Sequence, residues 1–265
     1  MTVKTRSTGS RSYHSGMSVP AVGTPVPDAI EPMLEQAGLG GFGVQPVWVN
    51  QAGGWTVAVL GPDRRPQWYA KWNPLSSGES LARERERLTW LQPRHPVPEP
   101  VGYDCDEAQE LLITRAVAGR SAVSPRWRRR PDVALAALGR GLRRLHQLPV
   151  EDCPFEWGTE TRLAGRDVAD LLGADEPSID RLVVCQGDPC APNTLLAEDG
   201  GFLAHVDVGR LGIADRWADL AVMTLSMSWN YPTFDESVFW SAYGVEPDPQ
   251  RIDFYRRLWQ AEDQG

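Results

Sequence analysis

Val183-Val184-Cys185-Gln186-Gly187-Asp188-Pro189-Cys190-Ala191-Pro192-Asn193 is the stretch that decides the fold of this chain. A short apolar run leads into a glycine and an aspartate, and an asparagine follows five positions later. Asp and Asn are common in turns, where each side chain bonds nearby backbone, so the pair alone carries little. The continuation carries more. Thr194-Leu195-Leu196-Ala197 reads as a strand, Glu198-Asp199-Gly200-Gly201 as a turn, and Phe202 to Val206 as a returning strand that ends at Asp207. In an antiparallel hairpin the first and last residues lie at the same end. Asn193 and Asp207 are therefore expected side by side, with Asp188 in the loop that feeds that end. Two oxygen ligands beside a carboxylate suit Mg2+, which takes one or two carboxylates and completes its shell with phosphate oxygens and water. Gly209 is expected to let the chain turn sharply after the Asp207 ligand.

Working outward, short β-like runs cover Val44 to Val49, Trp55 to Leu60 and Gln67 to Trp72, with Asn50 to Gly54 as a hairpin turn. The third run carries Lys71. Of 27 basic residues only Lys4 and Lys71 are lysine, so a lysine in the body of the chain stands out. A helix over Glu79 to Leu91, with Leu81, Leu88 and Leu91 on one face, carries Glu84, with Glu86 as a rival acid. Phosphoryl transfer needs a cation on the nucleotide phosphates and an acid that holds it. Lys71 and Glu84 stand in that order, although Glu84 alone reads equally well as an exposed residue in a charge run. Val101 to Tyr103 and Leu111 to Arg115 read as further strands, and Ala116 to Gly119 as a hinge.

Beyond that hinge the leucines at 135, 138, 142, 145 and 148 mark a helix over Asp132 to Leu148. A weaker helix is expected over Arg162 to Leu172, and helices from Trp217 onward, broken near Tyr231-Pro232 and Glu246-Pro247. Strands first and helices after give a two-lobed α+β chain. Residues 1–27, rich in Ser, Thr, Gly and Pro, read as a disordered tail. The expected division is 28–116 for a small, mainly β lobe and 117–265 for a larger, mainly helical one.

Asp and Glu outnumber Lys and Arg 35 to 27, for a net charge of −8. That argues against nucleic acid, including for the Arg126 to Arg130 cluster, and suits a cationic small-molecule substrate. No apolar run is long enough for a membrane span. Four cysteines without metal-ligand spacing read as free thiols in a reducing cytoplasm. His146 and His205 read as structural.

The motifs together resemble the aminoglycoside phosphotransferase family. They are Gln186-Gly187-Asp188 with Asn193, then Asp207-Val208-Gly209-Arg210-Leu211-Gly212, then Ala214-Asp215-Arg216-Trp217-Ala218-Asp219-Leu220-Ala221. Cys185-x-Gly187-Asp188-Pro189-Cys190 and Gly209-Arg210-Leu211-Gly212 are most similar to its streptomycin 3''-phosphotransferases. The resemblance implies a protein-kinase-like fold with ATP or GTP between lobes. It also implies that the first lobe, 28–116, binds nucleotide and that the second, 117–265, holds the catalytic and substrate-binding groups. By it Asp188 is the catalytic base, Asn193 and Asp207 hold Mg2+, and Lys71, positioned by Glu84, binds the α and β phosphates. Thr114 to Ala118, with Thr114 and Ala116 foremost, offer backbone groups to the base. Arg210 neutralises charge near the transferred group or pairs with Asp215 or Asp219. Asp219 braces the catalytic loop. The implied activity is resistance by phosphorylation of an aminoglycoside hydroxyl, streptomycin at 3'', by a monomer or weak dimer. The alternatives are another hydroxyl compound (a different antibiotic, choline, homoserine or a sugar) or a non-catalytic nucleotide binder. The chain departs from the family at Gln186, where the family has His, and in lacking a G-x-G-x-x-G loop. Substrate carboxylates are sought among Asp152, Glu156, Glu160, Asp167, Asp170, Asp235, Glu236, Glu246 and Asp248.

Overall fold

The structure, a computed structural model, describes residues 19–21, 23–164, 166–168, 172 and 176–262. Packing divides the chain into two units. One takes in the chain up to Leu81 together with Gly102–Thr114, the other Ala82–Val101 together with everything from Arg115 on.

The first unit is built on a five-stranded sheet. Helix α1 (Ile30–Gln36) precedes β1 (Gly43–Val49), β2 (Trp55–Leu60) and β3 (Pro66–Pro74). Helix α2 (Leu81–Leu91), which from Ala82 on belongs to the second unit, comes next in the chain, and β4 (Pro100–Cys105) and β5 (Gln109–Arg115) follow. The spatial order is β1-β2-β3-β5-β4, with β1 and β3 antiparallel to β2. Period-two alternation sets the core. Val57 and Val59 of β2, Ala70 of β3, and Leu111 and Ile113 of β5 form one buried cluster. Ile30, Met33 and Leu34 of α1 join it, on the i, i+3, i+4 spacing of a helix face. The sequence reading places no element before Val44, so α1 is an addition. Lys71 follows the buried Ala70, pairs with Thr56 in register, and is half-buried. The β1–β2 turn closes on itself. Asn50 N–H donates to the Gly54 carbonyl (2.9 Å), and the Gly54 N–H donates to Asn50 Oδ1 (2.6 Å).

The second unit holds β6 (Arg120–Ser121), α3 (Pro125–Arg128), α4 (Pro131–Leu145), α5 (Thr159–Leu163) and β7 (Leu182–Cys185). It continues with β8 (Thr194–Leu196), β9 (Phe202–His205), β10 (Gly212–Asp215), α6 (Trp217–Asn230), α7 (Ser237–Tyr243) and α8 (Pro249–Glu262). Pro131 opens α4, and Leu135, Leu138, Leu142 and Leu145 are fully buried, as the leucine spacing predicts. They share a core with Trp217, Met227, Phe239 and Leu258 of the later helices. β7 pairs with β10, and β6, β8 and β9 form a second small sheet. The helix expected over Arg162 to Leu172 is interrupted: α5 begins at Thr159 and ends at Leu163, Ala164 takes a left-handed φ of 50°, and Val168 and Leu172 are again helical. Parts of its expected continuation (165 and 169–171) lie outside the described residues, as do 1–18 and 22 of the expected tail. No helix among the described residues is long and apolar enough to cross a membrane.

Candidate active site

The catalytic-loop residues sit between β7 and β8. β7 is buried from Val183 to Cys185, and its antiparallel partner β10 holds it. Gly187 then turns the chain with φ 86°. A Cβ there would overlap the Arg210 carbonyl, so only glycine allows these two segments to touch.

Asp219, fully buried on α6, fastens the loop from behind. Its carboxylate accepts the N–H groups of Gln186 (2.6 Å) and Gly187 (3.1 Å). His146 Nε2 donates to it as well (3.0 Å), while His146 Nδ1 lies 2.8 Å from the Tyr243 hydroxyl. This is the bracing role expected of Asp219 and the structural role expected of His146. Gln186 fastens the loop from the front. Its Nε2 donates to the carbonyls of Val206 and Asp207 (3.0 Å each), and its Oε1 accepts the Asp188 N–H (2.7 Å). One amide side chain thus ties the Asp188 loop to the strand end that carries Asp207. A side chain that both donates and accepts is required at this point.

The hairpin brings Asn193 and Asp207 to one end. Thr194 pairs with His205, and Val206 N–H donates to the Asn193 carbonyl (2.9 Å). Asn193 Nδ2 donates to the Asp188 carbonyl (3.0 Å) and to Asp188 Oδ2 (3.3 Å). Asp188 Oδ1 is buried without a hydrogen-bond partner among the described residues. Burial, and then the Asp207 carboxylate, push the Asp188 carboxyl up to about 6, against the pull of Arg210. Two acids close enough to disturb each other, beside an amide oxygen donor, fit a hard divalent cation such as Mg2+. The turn expected at Gly209 is present, with the Leu211 N–H donating to the Val208 carbonyl (3.0 Å) across it. Asp207 itself takes the left-handed φ, at 60°, and Gly209 does not. A Cβ on Gly209 would make an ordinary 3.6 Å contact with Glu84.

That contact places α2 beside the Asp207 loop. Glu84 is 5% exposed whereas Glu86 is exposed, because Leu81, Glu84 and Leu88 share the inward face. The reading of Glu84 as a solvated charge does not hold. Arg87 follows one turn later and donates from Nε to the Leu211 carbonyl (2.9 Å). Lys71 is on β3 of the first unit. Thr114 ends that unit on β5, its hydroxyl 3.4 Å from the Tyr69 carbonyl, and Ala116 follows the strand half-buried. Arg210 lies against two tryptophans, 5.9 Å from the Trp157 ring and 5.5 Å from the Trp259 ring. Asp215 is taken up by Arg251 and by the N–H groups of Asp180 and Trp217.

Several carboxylates considered for substrate have other tasks. Asp235 accepts the Ser237 N–H (3.0 Å) in the turn before α7, and Asp248 accepts the Gln250 N–H (3.0 Å) at the start of α8. Glu236 accepts from Trp240 Nε1 (2.8 Å). Asp170 lies outside the described residues. Glu156 lines a cavity of about 450 Å3 with Glu151, Trp157, Glu176 and Tyr255. The sequence reading singled out neither Trp157 nor Trp259. Their only signal is Trp next to Glu or Gln in otherwise polar segments, which marks no role.

The model of the phosphotransferase enzyme family matches residues 52–255. The streptomycin 3''-kinase of Streptomyces griseus is 32% identical, over 88% of this chain and 96% of that protein. The aminoglycoside 3'-phosphotransferase of Streptomyces fradiae is 33% identical, over 75% and 87%. Among solved structures, the aminoglycoside phosphotransferase APH(3'')-Id of Streptomyces rimosus superposes with a TM-score of 0.71 and 25% identity, over 89% of this chain and 99% of that one. Its complex with ADP and streptomycin gives 0.68 and 26%, over 88% and 98%. The chain belongs to the phosphotransferase enzyme family, its relatives there are aminoglycoside phosphotransferases, and it has their two-lobed, kinase-like α+β fold.

Proposed function

We propose that this phosphotransferase moves the γ-phosphoryl group of ATP to a hydroxyl of an aminoglycoside, and specifically to the 3'' hydroxyl of streptomycin, as a cytoplasmic monomer or weak dimer that confers resistance. The observation that carries the reading is the state of Asp188. Asn193 holds one carboxylate oxygen, and the other is buried with no hydrogen-bond partner among the described residues, which leaves it able to receive a substrate hydroxyl. Asp188 orients that hydroxyl and takes its proton. Asn193 and Asp207 would hold Mg2+, which supplies charge neutralisation on the phosphates when bound. Lys71, positioned by Glu84, binds the α and β phosphates. Thr114 and Ala116 offer backbone groups to the adenine, or to guanine if GTP is the donor. Arg210 offsets charge on the group in transit. Residues 28–116 serve the nucleotide and 117–265 the chemistry and the acceptor.

The streptomycin assignment is supported by the likeness to the Streptomyces griseus kinase and by the Cys185 to Cys190 and Gly209 to Gly212 details. The guanidinium groups of streptomycin call for carboxylates. A non-catalytic reading would rest on Gln186. Its hydrogen bond to Asp188 within the loop and its two to the Val206 and Asp207 carbonyls speak for a substitution that keeps the loop in working order.

The test is ADP release from Mg-ATP with streptomycin, beside kanamycin, choline and no acceptor. Streptomycin-dependent turnover is expected. Turnover with another acceptor alone removes the streptomycin assignment and keeps the chemistry. No acceptor-dependent turnover contradicts the reading.

A further inference from the structure

We infer that Trp157 and Trp259 are positioning residues that hold the Arg210 guanidinium beside Asp188, and that the C-terminal helix α8 thereby takes part in the reaction. This rests on the role proposed above for Arg210.

The geometry is a run of side chains whose two ends both lie on α8. Arg210 lies 5.5 Å from the Trp259 ring and 5.9 Å from the Trp157 ring. Trp157 is flanked in turn by Arg162, 5.5 Å from its ring. Arg162 Nε donates to Glu262, which stands three residues after Trp259 on the same face of α8. The Arg162 side chain is only 1% exposed, so the run is anchored in the core. The flat faces of tryptophan attract a guanidinium and limit where it can sit.

Each member is also fixed through its backbone. Trp157 N–H donates to the Ile213 carbonyl (2.9 Å), and Glu156 bridges to Ile213. Gly212 makes that pairing possible, since a Cβ there would crowd the backbone of Glu156 and Trp157. Trp259 follows the fully buried Leu258. The Arg210 backbone is pressed against Gly187, and the next carbonyl is held by Arg87. What the run of side chains adds is the direction of one long side chain. Arginine has many rotamers to lose, and two aromatic walls remove them before substrate arrives. The Arg210 backbone and Cβ lie against Gly187, the residue before Asp188, so the arginine starts beside the base, and its charge pulls the Asp188 carboxyl downward.

The experiment is a double-mutant cycle between Trp259→Leu and Arg210→Ala, with Trp259→Phe as the conservative variant and the acceptor that supports turnover. Trp259→Leu is expected to lower kcat about tenfold with both KM values within about twofold. Trp259→Phe should recover most of kcat. In the Arg210→Ala background, Trp259→Leu should add nothing, because the group it positions is gone. Trp157→Leu, in a loop outside the helices, reads the same coupling should Trp259→Leu not fold. Full kcat in Trp259→Leu and Trp157→Leu, or losses that simply multiply with that of Arg210→Ala, overturns the inference. Full kcat in Arg210→Ala overturns instead the role of Arg210 on which it rests, as does the lack of any acceptor-dependent turnover.

Discussion

The Asp188 loop and the Asn50 to Gly54 turn are both short, glycine-containing connections between strands, yet they are held in opposite ways. The turn is closed by its own residue, through the backbone and Oδ1 of Asn50. The loop is held from a distance, by Asp219 some thirty residues later, by His146 behind that, and by Gln186 reaching the Asp207 strand. A locally closed turn forms early and tolerates change. A loop held by long-range contacts stays fixed only while the whole second unit is packed, and the groups it carries are therefore placed before substrate arrives. Substitutions should separate the two regions sharply.

The largest effect is expected at Asp219. Asp219→Ala strands two backbone N–H groups and the buried His146 Nε2, at a cost of about 4 kcal/mol by the usual penalty for unpaired buried groups. Denaturant unfolding should show it, and a loss under about 1 kcal/mol would mean that the loop does not depend on this brace. Gly187→Ala follows. A side chain there meets the Arg210 carbonyl in a left-handed conformation, so stability should fall by about 2–3 kcal/mol and kcat by about 100-fold or more. Next, Gln186→Ala removes three hydrogen bonds and should cut kcat about tenfold, while Gln186→His should preserve or raise activity. A dead Gln186→His variant would show that this loop is built differently from its relatives'. The smallest effect belongs to the turn. Asn50→Ala removes one local bond, and a change in stability beyond about 1 kcal/mol, or in kcat beyond about twofold, would erase the contrast.

The same contrast explains what could be read from the sequence. The hairpin from Asn193 to Asp207 was legible because alternation, a Gly-Gly turn and two oxygen ligands coincide within fifteen residues. Helix α4 was legible because four leucines repeat on one face. The buried state of Glu84 was open in the sequence, since the run from Arg83 to Arg87 alternates charge and only tertiary packing chooses the inward face. Helix α1 escaped notice because its three apolar residues stand among prolines and glycines. The turn at Gly209 was legible, but the left-handed backbone of Asp207 just before it was not. Such strain at an aspartate is invisible to residue preference, which points to glycine. Likewise, carboxylates that hold nearby backbone N–H groups, such as Asp235 and Asp248, look no different in sequence from carboxylates that bind a cation. The run of side chains that joins Trp157, Arg210 and Trp259 spans about one hundred residues and leaves no local pattern.

The central claim is that Asp188 is the base of a working phosphotransferase, and Asp188→Ala tests it most directly. ADP release with Mg-ATP and acceptor should fall by about 10^2- to 10^4-fold, the usual contribution of a general base, while Mg-ATP binding by the same variant stays within a few-fold of the parent. Near-full turnover in Asp188→Ala would contradict the account.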